Sequence, residues 1–332
     1  MKLRSFYLIA GVIFSILSVQ PQASAQGDPT FGYKLQLDVV YGQGRVAPKG
    51  AEVMRDLKMD VYTPTAAGDG PWPAVVYVHG GAWHRGGPRN PPYKLGGAVH
   101  STPEDWARLL AAAGYKVFVI EYRLAPQNPI TRFVPGKEHT VTDIRSVVKE
   151  DLMVGFARAR AGLGLSMLEY NDEAMGLVWN AYMSGVEDAA LALDYIVKHA
   201  GELNVDPQRI GMGGHSAGAG ITASVGLGLK SPLKAIFPLS TPDILFDKGY
   251  VTKRTDLPAV LLHFSQYDDA PLLVTGPGMV TMLRKADTEF TLGWMPGYMH
   301  FYPHNGVSLA DDGTRMSLGD RVIGFLDKYL KK

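Results

Sequence analysis

The chain has 332 residues, of which 46% are hydrophobic and 20% are charged. This length and composition predict one large α/β domain or two small ones with a sizeable buried core, and they exclude general disorder. The formal net charge is only +1 and no long basic run occurs, so nothing indicates nucleic acid or an anionic membrane surface as a partner.

The first 25 residues have the pattern of a secretion signal. Lys2 and Arg4 form a charged start, an apolar stretch follows over 6–19, and Ala23–Ala25 is a small-residue cleavage site. The apolar stretch is short for a bilayer span, which takes about 20 residues. We therefore predict cleavage after Ala25 and a secreted or periplasmic mature chain with no stable membrane span, the alternative being an uncleaved anchor. The chain has no cysteine, so it has no disulfide framework.

Strand and helix patterns alternate along the mature chain, residues 26–332. Alternating apolar and polar residues predict half-buried antiparallel strands over 33–42 and 57–64. Continuous apolar runs predict strands buried on both faces over 73–81 and 115–124. Further strands are predicted over 209–214, 233–240, 258–265 and near 289–295.

Helices are predicted between these strands. One begins with Thr102 as N-cap and Pro103 at its first position, and another begins at an S-x-x-E capping box formed by Ser184 and Glu187. Others are predicted directly after residue 216, near 278–287 and near 317–331. The alternation predicts a mostly parallel sheet covered by helices on both faces.

Residues 127–183 do not fit this alternation. They show only weak helical periodicity around 141–160 and 165–179, and a segment this long between core elements is typical of an insertion. We predict that it forms a cap or lid that closes one side of a substrate pocket, the alternative being a structural subdomain packed away from the site. Six apolar residues are predicted as pocket wall: Met167, Leu168, Tyr170, Met175, Trp179 and Tyr182.

One serine lies in an unusually small-residue stretch. Residues 214–218 read Gly-His-Ser-Ala-Gly and match G-x-S-x-G, with an apolar strand before them and a helix pattern after them. In a strand–turn–helix elbow the serine backbone is strained, so the residues two positions away cannot carry bulk. The context predicts Ser216 as a nucleophile, whereas the simpler alternative is a small-residue helix start packed tightly on a strand.

A glycine pair follows the predicted strand over 73–78. Residues 79–83 read His-Gly-Gly-Ala-Trp, which leaves the N–H groups of Gly80 and Gly81 pointing at open space. Together with the N–H of Ala217, these donors are predicted to bind the oxyanion of a tetrahedral intermediate. His79 is then a structural residue that fixes the loop, and the alternative for the glycine pair is an ordinary βα turn.

These motifs resemble the α/β-hydrolase fold, in particular secreted or periplasmic serine esterases with an HGG-x-W loop. Such proteins include acetyl and feruloyl esterases and carboxylesterase and lipase relatives. The resemblance rests on "HGGAW" and "DPQRIGMGGHSAGA" and covers nearly all of the mature chain except 127–183. The loop departs from the HGGG pattern, because alanine replaces its third glycine, and this leaves the substrate class less well defined than the fold.

The resemblance also implies an acid and a base after the nucleophile, in that order. It favours Asp268 in "LLHFSQYDDAP" as the acid, with Asp269 as the alternative, and His300 in "GYMHFYP" as the base, with His304 in reserve. The neutral imidazole takes the serine proton, while the carboxylate orients the ring and stabilises the imidazolium.

No cofactor is predicted. Histidines at 79, 84, 100 and 139 are scattered without H-x-H or H-E-x-x-H spacing, which disfavours a metal, and no G-x-G-x-x-G sits at a strand–helix junction to hold a dinucleotide. The predicted partner is a small-molecule or carbohydrate-linked ester. A serine peptidase or amidase on the same fold, and a hydrolase-fold binding protein without catalysis, are the alternatives. Acyl and alcohol specificity and the oligomeric state stay open.

Overall fold

The computed structural model describes residues 32–65, 70–95 and 97–331, and a ten-stranded sheet runs through these ranges. The predicted signal peptide, residues 1–25, lies outside them. The strands are β1 (Tyr33–Val46), β2 (Val53–Pro64), β3 (Trp72–Val78), β4 (Tyr93–Leu95), β5 (Ala98–His100), β6 (Lys116–Ile120), β7 (Val205–His215), β8 (Leu233–Leu239), β9 (Ala259–Tyr267), β10 (Phe290–Met299), β11 (Val307–Ala310) and β12 (Arg315–Ser317).

The sheet is parallel in its centre and antiparallel at both edges. Its order is β1-β2-β6-β3-β7-β8-β9-β10-β11-β12, while β4 and β5 form a separate hairpin. Strands β6, β3, β7, β8, β9 and β10 pair in parallel, and β1, β2, β11 and β12 pair antiparallel. The predicted mostly parallel sheet is therefore confirmed, and the carboxyl ends of its central strands meet at one edge.

Helices cover both faces of the sheet. They are α1 (Pro103–Ala112), α2 (Met153–Ala161), α3 (Asp172–Lys198), α4 (Ala217–Ala223), α5 (Lys248–Val251), α6 (Ala270–Lys285) and α7 (Leu318–Leu330). On β3, Val76 and Val78 pack into the core shared with α3 and α6, whereas Val75 and Tyr77 pack into the core shared with α1 and α7. This alternation follows from the two-residue period of a strand and explains why the central strands read as continuous apolar runs. None of the helices in the described ranges combines the length and apolar character needed to cross a membrane.

The start of one helix was predicted correctly and that of another was not. Thr102 caps α1, as expected. Its hydroxyl accepts a hydrogen bond from the Asp105 N–H, and the Asp105 carboxylate accepts one from the Thr102 N–H. The prediction that Ser184 caps the next helix is wrong, because Ser184 is buried in the interior of α3. The cap is Asn171, whose side chain accepts a hydrogen bond from the Ala174 N–H. Two acidic residues in the first turn favour this start through the helix dipole.

The insertion is divided between the core and the surface. Met175, Trp179 and Tyr182 lie on α3 and are buried in the main core, so the prediction that they form a pocket wall is wrong. Their spacing places them on one face of a long helix that packs on the sheet. Met167 is exposed and lies before α3. Helix α2 and the 3₁₀ turns before it are the remaining part of the insertion. Their role as a cap stays a prediction.

Candidate active site

Ser216 lies at the turn between β7 and α4, at the carboxyl edge of the sheet. Its φ of 57° and ψ of −121° place it in a region that non-glycine residues rarely adopt. A Cβ on Gly214 would lie 2.6 Å from the Val78 carbonyl oxygen, and one on Gly218 would lie 2.1 Å from the same atom. The predicted elbow is present, and the two glycines are needed because the turn presses against the end of β3.

The structure brings together the three residues predicted as nucleophile, base and acid. His300 follows β10 directly, and its Nε2 lies 2.8 Å from the Oγ of Ser216. Asp268 follows β9 directly, and its Oδ1 lies 2.6 Å from the Nδ1 of His300. Strands β7, β9 and β10 run parallel and end at the same edge of the sheet, which is why residues far apart in sequence meet there.

The carboxylate of Asp268 is buried and surrounded by donors. It accepts hydrogen bonds from the Ser240 hydroxyl, from the Ser265 N–H at 3.1 Å and from the Asp269 N–H at 3.0 Å. Burial opposes ionisation, but the His300 imidazole and these donors outweigh it, so the pKa of Asp268 lies below its usual value. Asp268 is therefore a carboxylate at neutral pH.

His300 is held from two sides. Burial lowers its pKa, but the adjacent Asp268 carboxylate outweighs burial and raises the pKa of His300 above 6.5. The Nε2–H of His215 donates to the backbone carbonyl of His300 at 2.8 Å, which fixes the chain at the base. The ring nitrogen facing Ser216 accepts a proton only while the imidazole is neutral.

The two reserve candidates occupy other positions. The Asp269 carboxylate points to the Arg158 guanidinium of α2, with an N···O separation of 3.6 Å. The Nδ1 of His304 lies 2.7 Å from the Ser101 hydroxyl, next to α1. Neither side chain bonds to Ser216 or His300 within the described part of the chain, so the geometry favours Asp268 and His300.

The loop after β3 runs past Ser216. A Cβ on Gly80 would lie 3.3 Å from the Ser216 Cβ, and Gly81 has a φ of 123°, which favours glycine. Ala217 begins α4 directly after Ser216. The three predicted oxyanion donors thus belong to two segments that contact each other at Ser216.

His79 supports this loop. Its Nδ1–H donates to the Gly80 carbonyl at 2.8 Å, and its ring stacks on Tyr122 with centroids 4.3 Å apart. Burial lowers the pKa of His79 to about 4, so the ring is neutral. These contacts fit the structural role expected for His79.

The insertion contacts the same loop. The indole of Trp83 stacks on Tyr182 at a centroid distance of 4.5 Å and meets the Phe156 ring of α2 edge-on at 5.8 Å. Helix α2 also supplies Arg158, the partner of Asp269. Helix α2 therefore packs on the loop after β3 and reaches the segment that carries Asp268.

Two residues of the site were not predicted from the sequence. The Ser240 hydroxyl donates to Asp268, and the Tyr302 phenol lies 2.8 Å from the same hydroxyl. Ser240 comes directly after β8, so its place at the end of a parallel strand was a usable signal. Tyr302 lies in a loop after β10, and its contact depends on the folded path of that loop.

Comparison with known proteins supports the fold described above. A family model described as an alpha/beta hydrolase fold matches residues 180–243, which include Ser216, and a second, described as BD-FAE, matches residues 59–149. A truncated carbohydrate esterase from gut microbiota superimposes with a TM-score of 0.53 and 12% identity, covering 92% of this chain and 99% of that one. The chain has the α/β-hydrolase fold. Esterase 2 of Thermogutta terrifontis, phosphorylated by paraoxon, shares this fold at a TM-score of 0.52 and 16% identity, covering 90% of this chain and 92% of that one.

A curated relative is similar in sequence. This chain is 25% identical over 226 residues to Carboxylesterase NlhH of Mycobacterium tuberculosis, a match covering 68% of this chain and 48% of the relative. The chain thus spans about half the length of the curated relatives that it matches. The predicted fold and the resemblance to serine esterases of this fold are confirmed.

Proposed function

We propose that this α/β-hydrolase is a carboxylesterase that cleaves its substrate through an acyl-enzyme on Ser216. The observation that carries the proposal is the unbroken chain of hydrogen bonds from Ser216 through His300 to Asp268, with separations of 2.8 Å and 2.6 Å. A hydroxyl, an imidazole and a carboxylate in this order are the groups that acyl transfer needs. The similarity to a carboxylesterase supports the choice of an ester as substrate.

The proposed reaction begins with attack of the Ser216 Oγ on the ester carbonyl. His300 takes the serine proton at Nε2, and Asp268 holds the ring by its Nδ1–H and stabilises the imidazolium. The carbonyl oxygen becomes an oxyanion, which accepts hydrogen bonds from the N–H groups of Gly80, Gly81 and Ala217. His300 then returns the proton to the leaving alcohol, and a water activated by the same imidazole releases the acid from Ser216.

The experiment compares chromogenic esters with matched anilides of increasing acyl length. An esterase is expected to hydrolyse the esters with a far larger kcat/KM than the anilides, and Ser216→Ala is expected to remove both activities. A preference for anilides would transfer the proposal to the amidase class. Hydrolysis that is equally fast in wild type and Ser216→Ala would contradict catalysis at this site.

We also propose export of the mature chain, because residues 1–25 have the charged, apolar and small-residue segments of a signal peptide. The test is N-terminal sequencing of the protein recovered from a periplasmic or culture fraction of its source cell. A mature terminus at Gln26 is the expected result. Recovery of the uncut chain in the membrane fraction would favour an N-terminal anchor instead.

A further inference from the structure

A cavity of about 240 Å³ opens beside the proposed nucleophile. Gly80 and Gly81 of the oxyanion loop line it, together with His215 and Phe301, which are the chain neighbours of Ser216 and His300. One half of a substrate whose carbonyl sits at Ser216 has room to extend into this cavity. The side chains that line the cavity decide which chemical group that half carries.

Arg85 is the charged residue among those that line the cavity. Of the residues lining the cavity, it is the one with a permanent charge, and no carboxylate lines the cavity. Its side chain is half-buried, and among the described residues it has neither a hydrogen-bond nor an ion-pair partner. A partly desolvated guanidinium without a counter-ion gains free energy when it binds an anion, and its fork of donors matches a carboxylate.

The two histidines of the cavity add no positive charge. Burial lowers the pKa of His100 to about 4 and that of His215 well below its usual value. Each ring also donates one N–H to a backbone carbonyl: His100 Nδ1 to Tyr302 at 3.1 Å, and His215 Nε2 to His300 at 2.8 Å. Both rings are therefore neutral at physiological pH, which leaves the charge preference of the cavity to Arg85.

Two aromatic rings in the wall of the cavity are suited to a carbon skeleton. Tyr93 and Phe301 both line the cavity, and their ring centroids are 4.7 Å apart. Such a wall packs against the apolar part of a bound group. The cavity thus combines a cation and an aromatic surface beside the nucleophile.

We propose that Arg85 binds a free carboxylate carried by the ester, so that the preferred substrate is an anionic ester rather than a neutral one. This proposal rests on the proposed esterase function. The competing role for Arg85 is structural, because a Cβ on Gly162 would lie 3.0 Å from its Nη1. The guanidinium therefore reaches the C-terminal end of α2, where a cation is favourable to the helix.

The test compares each anionic ester with a neutral isostere. In the acyl arm the pair is 4-nitrophenyl hemisuccinate and 4-nitrophenyl succinamate; in the alcohol arm it is O-acetylglycolate and O-acetylglycolamide. We expect the wild type to prefer the anionic member of one pair by about 10- to 100-fold in kcat/KM, the range of a hydrogen bond to a charged group. Arg85→Gln should abolish the preference and leave the neutral ester within about threefold.

Two further variants sharpen the comparison. Arg85→Lys should keep part of the preference, because an ammonium keeps the charge but loses the fork. Arg315→Gln removes the same charge from an exposed position on β12, at the far edge of the sheet, and should leave the preference unchanged. Loss of the preference in Arg315→Gln would assign it to overall charge and overturn the role of Arg85.

Other outcomes also overturn the proposal. Equal or greater activity on the neutral member of both pairs would do so, as would an Arg85→Gln variant that melts at a lower temperature and loses both activities equally.

Calorimetric binding of both 4-nitrophenyl esters and both acetyl esters to Ser216→Ala, with and without Arg85→Gln, separates this proposal from the proposed function. Tighter, Arg85-dependent binding of an anionic member without turnover in the wild type supports the anion site and contradicts the esterase. Turnover of neutral esters without such binding contradicts only the anion site.

Discussion

The phenol oxygen of Tyr302 lies 2.8 Å from the Ser240 hydroxyl, which donates its hydrogen to Asp268. Because a serine hydroxyl has one hydrogen, Tyr302 is the donor in the first bond. Burial raises the pKa of Tyr302 well above its usual value, so this donor stays protonated. The two hydroxyls form a relay that stabilises the Asp268 carboxylate from behind.

Ser240→Ala should therefore reduce kcat/KM by about 10-fold or more, because Asp268 loses a charge-assisted hydrogen bond that holds it in the position from which it orients His300. It should also move the acid limb of the pH–rate profile to higher pH, because a carboxylate with fewer donors stabilises the His300 imidazolium more strongly. Tyr302→Phe should change both quantities in the same direction by less, because it acts through Ser240. Full pH–rate profiles of the wild type and both variants measure kcat/KM and the position of the acid limb. A larger effect of Tyr302→Phe than of Ser240→Ala, or an acid limb that does not move in either variant, would contradict the relay.

The adjacent carboxylates should differ sharply in their effects. Asp268→Asn should reduce kcat by about 10⁴-fold, because the imidazole then takes the wrong tautomer. Asp269→Asn removes only a partly exposed ion pair with Arg158, which is worth little, so its kcat should stay within about threefold of wild type. The measurement is kcat on one activated ester, and the reverse ranking would assign the role of acid to Asp269.

Activity should fall as the pH is lowered, because the His300 imidazolium cannot accept the serine proton. The pKa of His300 is raised by Asp268, so the midpoint should lie above pH 6.5. In Asp268→Asn the residual activity should have its midpoint at lower pH, because burial then acts on the imidazole without the Asp268 carboxylate that opposed it. The measurement is kcat/KM from about pH 5 to about pH 9. A flat profile in the wild type would contradict His300 as the base.

The elbow and the central sheet could be predicted because short segments determine them. Continuous apolar runs indicated β3 and β6, and the glycines around Ser216 indicated a turn with no space for side chains. The start of α3 was predicted too late because Ser184 and Glu187 satisfy a capping pattern by sequence alone. In the folded chain Glu187 instead pairs with Arg123, at 3.0 Å.

The surroundings of the site depend on contacts between distant segments. Nothing local to Tyr302 indicates that it lies behind Asp268, and the end of β8 indicates only the sheet edge at which Ser240 lies, because three strands must first assemble. The choice between Asp268 and Asp269 has the same character, since adjacent residues leave a turn in different directions. Sequence patterns therefore predicted which residue types form the site. Where two residues of one type are adjacent, the fold decides which of them contacts His300.

The predicted cap can be tested through α2. Replacing residues 149–168 with a short glycine–serine link removes α2 while keeping the buried residues of α3. We expect a folded protein with a changed acyl-length preference and a raised KM, because α2 packs on the oxyanion loop through Phe156 and Trp83. Hydrolysis of the smallest activated ester should largely survive. A folded replacement variant with an unchanged acyl-length profile would instead show that α2 is structural.

The measurement that tests the central claim most directly is covalent trapping of the nucleophile. Paraoxon transfers a diethylphosphoryl group to an activated serine, and peptide mass spectrometry then locates the group. We predict modification of Ser216 in step with loss of esterase activity, no modification of Ser216→Ala, and a loss in that variant on the order of 10⁶-fold in turnover. A label on another residue that accounts for the inactivation, or a Ser216→Ala variant that keeps about a tenth of wild-type turnover, would contradict the account.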